Sequence, residues 1–242
     1  MKNKITLFGL AAILVFAACS KDKDNNPTMP SNEDPPQLQM QSLTIPAKMQ
    51  QSTDPHAQTV VFYMQMANIF NTSLAGYIHA PDGVGPTTRE GNLWEYNWKQ
   101  DALDIILRIT DESDNFSWVT QFNGKDTEYD YHNWIAYRAT QSKDEKSGSF
   151  TAYLPNTKIP LGEYIWSLDD DGALNFEVDA SALQQGRTFE GVLNTDHSGT
   201  LHVFESQNGQ NILIEKYDWD AEGVGQWWTY ENGELKESGA WS

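Results

Sequence analysis

The residues best able to make a contact with chemical content are aromatic. Trp94, Tyr96 and Trp98 alternate with Glu95 and Asn97, so on a strand their rings share one face. Trp227, Trp228 and Tyr230 supply rings to both faces of a later strand, so at least one ring falls outside whichever face is core. A Trp beside Asn, Gln and Asp can bind a sugar: C–H faces stack on the indole and hydroxyls bond to amides. Trp94, Trp98, Trp227 and Trp228 are therefore the candidate ligand-binding residues. The competing expectation is plain packing, because large sheets use aromatic cross-strand pairs.

Acids and imidazoles come next. Asp218, Asp220 and Glu222 alternate before Gly223, which resembles the first half of an EF-hand calcium loop. The twelfth position holds Thr229 instead of a bidentate Glu, and no helices flank the run. An acidic turn is the expectation there, and also at Asp169-Asp170-Asp171-Gly172. His197 and His202 flank Ser198-Gly199 and would meet across a hairpin, yet no His-x-x-x-His or second cysteine completes a zinc set. Asp196-His197-Ser198 names three triad residue types, but sequence neighbours do not line up as orienter, base and nucleophile. No phosphate loop, dinucleotide fingerprint or Gly-x-Ser-x-Gly elbow occurs, so neither a cofactor nor an enzyme is expected. With 34 acidic residues, a carboxylate pair for glycoside hydrolysis stays open as an alternative.

These residues need a scaffold, and one stretch organises it. Between Asp54 and Gly76 the spacing predicts a helix over about 55–75: Asp54 suits the cap and Pro55 the first turn. No charged residue occurs between Asp54 and Asp82, so the helix should be wrapped on more than one side. Phe62, Met66 and Phe70 are the expected helix–sheet core. After the loop Pro81–Pro86 the hydrophobic period falls to two and stays there to the end. Asn123-Gly124, Ser147-Gly148, Asp171-Gly172, Ser198-Gly199, Asn208-Gly209 and Asn232-Gly233 punctuate the runs as hairpin signals.

The expectation is a mainly β fold. About 11–12 strands form an up-and-down antiparallel meander, curled into a barrel or half-barrel, with the helix against its concave face. A short strand is expected at 42–45. In layout this resembles the lipoprotein-carrier half-barrels.

The N-terminus carries an address. Lys2 and Lys4 precede an apolar run from Ile5 to Ala18, the pattern of a secretory leader. Phe16-Ala17-Ala18-Cys19 resembles a bacterial lipobox, and Ser20-Lys21-Asp22-Lys23-Asp24 resembles the acidic tract of surface-exported Bacteroidota lipoproteins. The resemblance implies a signal peptide over 1–18, a lipid on Cys19 and a membrane anchor in the outer membrane, facing outward. Residues 19–41, rich in Pro and polar side chains, read as a tether. A single β-rich domain follows over 42–242. Cys19 is the only cysteine, so no disulfide is expected in the domain.

Charge narrows the partners. The chain carries −18, and subtracting Lys2 and Lys4 with the leader gives −20 for the remainder. Such a surface repels nucleic acid. Three function classes remain. The first is a non-catalytic surface lipoprotein binding a small apolar ligand or glycan, or serving as an accessory of an envelope complex. The second is a structural or interaction module, and the third a polysaccharide hydrolase. If Cys19 is the lipidated residue, Cys19→Ser abolishes labelling of the protein by a fatty-acid probe; labelling that persists contradicts the assignment.

Overall fold

Period-two sequence from Thr88 onward builds one sheet. The computed structural model describes residues 35–242 other than 74, 181 and 183–185; the expected leader over 1–18, Cys19 and the other residues up to 34 lie outside the described residues. The strands are β1 (Thr88–Glu90), β2 (Leu93–Gln100), β3 (Leu103–Asp111), β4 (Asn115–Lys125), β5 (Asp130–Ser142), β6 (Ser147–Tyr153) and β7 (Pro160–Leu168). They continue as β8 (Leu174–Asp179), β9 (Arg187–Leu193), β10 (Gly199–Gln207), β11 (Gln210–Trp219), β12 (Gly225–Glu231) and β13 (Glu234–Trp241). Spatial order equals chain order through all 13, and every neighbouring pair for which a register is resolved is antiparallel. β1 pairs only with β2 and β13 only with β12, so the sheet is an open half-barrel.

The two rims turn differently. At one rim, Asn208-Gly209 and Asn232-Gly233 close two-residue turns, with φ of 53° and 77°, and 53° and 82°. At the other, Asp169–Ala173, Asn194–Ser198 and Asp220–Val224 repeat a five-residue loop. In each, the first N–H donates to the fifth carbonyl and the fourth N–H donates to the first carbonyl. The fourth residue is left-handed each time: Gly172, His197 and Gly223. Asn123-Gly124 and Ser147-Gly148, expected as turns, lie inside β4 and β6 instead.

The reason is close approach. A Cβ on Gly148 would lie 2.2 Å from the Trp166 ring. Gly148 and Trp166 are direct cross-strand partners, and so are Gly199 and Trp219, Gly225 and Trp241, Gly191 and Phe176, and Gly239 and Trp227. In all five pairs the ring occupies the space that a Cβ would need. These glycines accommodate rings on the core face, where an aromatic cover also offsets the weakness of glycine in a strand.

Across the inner face lies the helical segment. Short α1 (Ala47–Gln51) precedes α2 (Pro55–Ser73), and a 3-10 turn (Ala75–Tyr77) follows. Asp54 Oδ1 accepts from the N–H groups of His56 at 2.8 Å and Ala57 at 3.4 Å, capping α2. Ring contacts trace its course. His56 stacks on Trp227 of β12, Tyr63 packs on Phe189 of β9, and Phe70 meets Phe150 of β6 and Tyr164 of β7. Tyr77 then touches Phe122 of β4 and Tyr137 of β5. A helix of 19 residues spans about 28 Å. Six strand spacings from β12 to β6 span about 29 Å. The helix therefore runs across the strands, one turn for each strand or so.

Val60, Met64 and Ala67 are fully buried, and Met66 and Phe70 nearly so. Phe62 is a correction: it is 45% exposed, with Ile69 at 47%. Positions 58, 62, 65 and 69 share one face of the helix. An open half-barrel leaves that flank in solvent, where a closed barrel would have covered it.

The segment before the helix also differs from expectation. Residues 42–45 form no strand, and packing begins earlier, with Leu38 buried. Side-chain amides substitute for a strand partner. The Gln39 N–H donates to Gln141 Oε1 at 3.0 Å, and Gln141 Nε2 donates back to the Gln39 carbonyl at 3.5 Å. The Leu43 N–H donates to Asn68 Oδ1, and Asn68 Nδ2 donates to the Leu43 carbonyl, both at 2.8 Å. Between them, the Tyr164 hydroxyl donates to the Gln41 carbonyl at 2.9 Å.

Gly225→Ala should cost about 1–3 kcal/mol in a urea melt, because the new methyl meets the Trp241 ring. Replacing Trp241 with Leu in the same chain should make the two costs less than additive. Full additivity would mean that ring and glycine are not coupled.

Candidate functional site on the outer face

The four tryptophans chosen from sequence are not gathered. Trp94 is buried on the inner face with the Arg89 guanidinium 5.5 Å from its centroid. Trp98 is half-buried and touches both the main core and a smaller aromatic cluster around Phe122 and Tyr131. Trp227 has His56 stacked on it at 3.7 Å and 11°, and Gly239 against its ring. Trp228 points to the opposite face, with Lys216 Nζ 4.9 Å from its centroid. β3 to β11 separate the first pair from the second.

The acidic runs close their own loops. Asp220 Oδ1 accepts from the N–H groups of Glu222 at 3.1 Å and Val224 at 2.9 Å. Asp218 sits on β11 and pairs with Lys216 at 3.3 Å. Asp171 Oδ1 accepts from the Ala173 N–H, and Asp170 pairs with Lys146 at 3.2 Å. Ser198 donates both its hydroxyl, at 2.6 Å, and its N–H, at 2.9 Å, to Asp196 Oδ1. Those bonds hold the Asp196 carboxyl below the usual carboxylate range. His197 stays in the exposed turn, while His202 stands on β10 beside Glu190. Among the described residues no three His, Cys, Asp or Glu side chains gather to hold a metal ion.

What the sheet does assemble lies on its outer face. Register places Ile165, Glu177, Glu190, His202, Lys216 and Trp228 in one row across β7 to β12, each directly opposite the next. Around the middle of this row is a groove of about 400 Å³, bordered also by Ser167, Asn175, Val192 and Thr200. A smaller depression of about 210 Å³ adjoins it, sharing Glu177 and Glu190 and ending at Phe204 and Asn211. Alternation explains the lining. Phe176 and Val178 face the core, so Asn175 and Glu177 face out; Phe189 and Leu193 do the same for Glu190 and Val192.

No protein-family model matches this chain, and no curated protein matches it in sequence. The groove must be read from its own chemistry.

Glu177 and Glu190 are directly opposed, and such residues on neighbouring antiparallel strands stand about 5 Å apart at Cβ. His202 Nδ1 lies 3.5 Å from Glu190 Oε1 on the far side, and the Glu190 side chain remains 51% exposed. Glu177 forms no hydrogen bond or ion pair among the described residues. Lys216, next along the row, is drawn away to Asp218 and lies over Trp228. Ile165, 41% exposed, makes an apolar ledge at the other end.

Sequence reading singled out His202 and Trp228 for other roles but did not bring them into this row. Each member is an ordinary outward residue of an alternating strand, and only the turn geometry brings them into line. Glu177→Gln should stabilise the domain by a few tenths of a kcal/mol to about 1 kcal/mol at low ionic strength. The gain should shrink as salt is raised, because screening weakens repulsion between exposed charges. Urea melts of the two proteins at pH 7 in low and high salt measure it; a destabilised variant at low salt would mean the two charges do not repel.

Proposed function

We propose that this protein is a lipid-anchored outer-membrane protein, displayed at the cell surface through Cys19, whose β domain binds a glycan without catalysing a reaction on it. The outer-face groove carries the reading. It offers an amide (Asn175), hydroxyls (Ser167, Thr200), an imidazole (His202) and carboxylates, beside the apolar ledge of Ile165 and Val192. Sugars need that mixture: C–H faces rest on apolar atoms while several hydroxyls bond to polar ones. An apolar ligand finds less support. The inner concavity is occupied by α2 and the segment before it, with Met49, Val60 and Met64 fully buried.

The carboxylate pair favours binding over hydrolysis. A general acid working near neutral pH needs burial or a neighbouring charge to hold its proton, and it acts best where water is kept out. Glu177 and Glu190 stand exposed in an open groove. A second reading, as a protein-interaction module, has the β13 edge in its favour. From Glu234 to Ala240 that strand is exposed, and it is paired on one side only.

A panel of soluble oligosaccharides titrated by calorimetry tests the proposal. Binding is expected, and Thr200→Trp should abolish it by filling the groove while leaving its charges in place. Trp228→Ala should change it little, since that ring lies under Lys216 beyond the groove. Binding that survives Thr200→Trp would move the site elsewhere; none across the panel would overturn the glycan reading.

A further inference from the structure

We propose that the inner face of the sheet holds a seat for an extended polypeptide. Residues 38–45 fill it within one chain, and the same residues of a second copy fill it in an exchanged dimer. The proposal concerns the face opposite the glycan groove and is independent of that reading.

The seat is built from side chains that bond to the main chain of their guest. Gln141 grips residue 39 at both ends, accepting from its N–H at 3.0 Å and donating to its carbonyl at 3.5 Å. Asn68 grips residue 43 in the same way, with both bonds at 2.8 Å. Midway, the Tyr164 hydroxyl donates to the carbonyl of residue 41 at 2.9 Å. Contacts at every second residue match the period of an extended chain. Gln141 is 2% exposed and Tyr164 is fully buried, so both polar groups are sunk in the core and aimed at this segment. Among the described residues, neither side chain has a hydrogen-bond partner other than residues 39 and 41. A buried amide or hydroxyl left unpaired is strongly unfavourable, so the seat requires an occupant.

Apolar side chains complete the fit. Leu38 and Leu43 are buried, and Met40 and Ile45 pack half-buried against the same core. Their spacing is two, then three, then two, so an arbitrary extended segment does not match it. That pattern belongs to this chain, which is the reason to name a second copy as the other occupant.

None of these contacts depends on the covalent link. The three polar side chains lie 102, 123 and 25 positions along the chain from the residues they hold. No strand ladder includes the segment, and it enters α1 through Pro46 in an extended conformation, with φ of −54° and ψ of 133°. The sheet needs this cover, but the cover need not come from the same chain. Exchanging an identical segment between copies keeps every contact and requires no new complementary surface. Within one chain the segment has a high effective concentration, so the exchanged form gains only as the protein is concentrated.

The test starts from the full chain carrying Leu38→Asp and Leu43→Asp, which keeps its own segment from seating and leaves the seat intact. Its melting temperature should fall by about 10 °C or more, because two charges would have to be buried. A synthetic peptide of residues 35–46, added in excess, should raise it again, while wild type, already filled, should not respond. If the variant is unfolded alone, the peptide should restore a cooperative melt. A scrambled peptide of the same composition should do nothing. Equal rescue by both peptides, or rescue by neither, overturns the seat. The second copy is tested by replacing the peptide with the full chain carrying Gln141→Ala and Tyr164→Phe, or Gln141→Ala alone if that chain does not fold. Such a chain has an intact segment and a damaged seat. Sedimentation velocity of the mixture is expected to show a species of twice the mass that neither variant forms alone. Rescue by the peptide without that species would overturn the second copy as occupant.

Discussion

An open sheet of 13 strands has one face that it cannot cover by itself. Everything in the first part of the domain answers that constraint. Residues 38–51 cross the inner face in one direction, from Gln141 on β5 to the β11–β12 turn, where a Cβ on Gly223 would meet Pro46 and Met49. Helix α2 then returns from β12 toward β4. Each pass lays apolar side chains on successive strands, and the result is one contiguous core that joins Leu38, Met49, Met64 and Phe70 to rings from β2 through β13. Burial on this scale is the dominant favourable term in folding, so the sheet and its cover form a single cooperative unit rather than a lid on a preformed barrel.

The charge distribution follows from the same constraint. Since the inner face is filled, most acidic residues stand on the outer face and the rims; on the inner side Glu215 accepts from the buried Tyr217 hydroxyl at 3.0 Å. On the rims they serve the turns: Asp220, Asp196 and Asp126 each accept backbone N–H groups and so complete loops that the sheet needs. Asp126 shows the balance of effects. Partial burial works against its charge, but bonds from the Tyr131 hydroxyl and from the N–H groups of Tyr129 and Glu128 outweigh it and lower its pKa. On the outer face, by contrast, Glu177 has no structural task.

Much of the architecture was legible from the residues. The charge-free run after Asp54 announced a wrapped helix, and period-two alternation announced a meander. What escaped was anything set by approach rather than by pattern. Asn123-Gly124 and Ser147-Gly148 look like turns because Gly usually supplies positive φ. Here Gly148 is small for the sake of Trp166, which no local rule reveals. Phe62 read as core because nothing in the helix wheel says how wide the sheet will open. The strand expected at 42–45 was replaced by an extended segment whose partners are side chains 25 to 123 residues away. The candidate site was least legible of all. A row of opposed residues depends on the length and type of every intervening turn, and a slip of one residue would have turned Glu177 inward.

The amide clamps on residues 39 and 43 also give the domain a mechanical direction. Its core strands are bonded side by side along their whole length, so a load along them strains many hydrogen bonds together. A pull at Pro35 meets a different geometry. It reaches the Gln39–Gln141 pair first, then the Tyr164 bond to Gln41, then the Asn68 clamp on Leu43. Those contacts are loaded in turn, as in peeling. Residues 35–43 are therefore the mechanically soft side of the described fold, held by side chains rather than by a strand ladder.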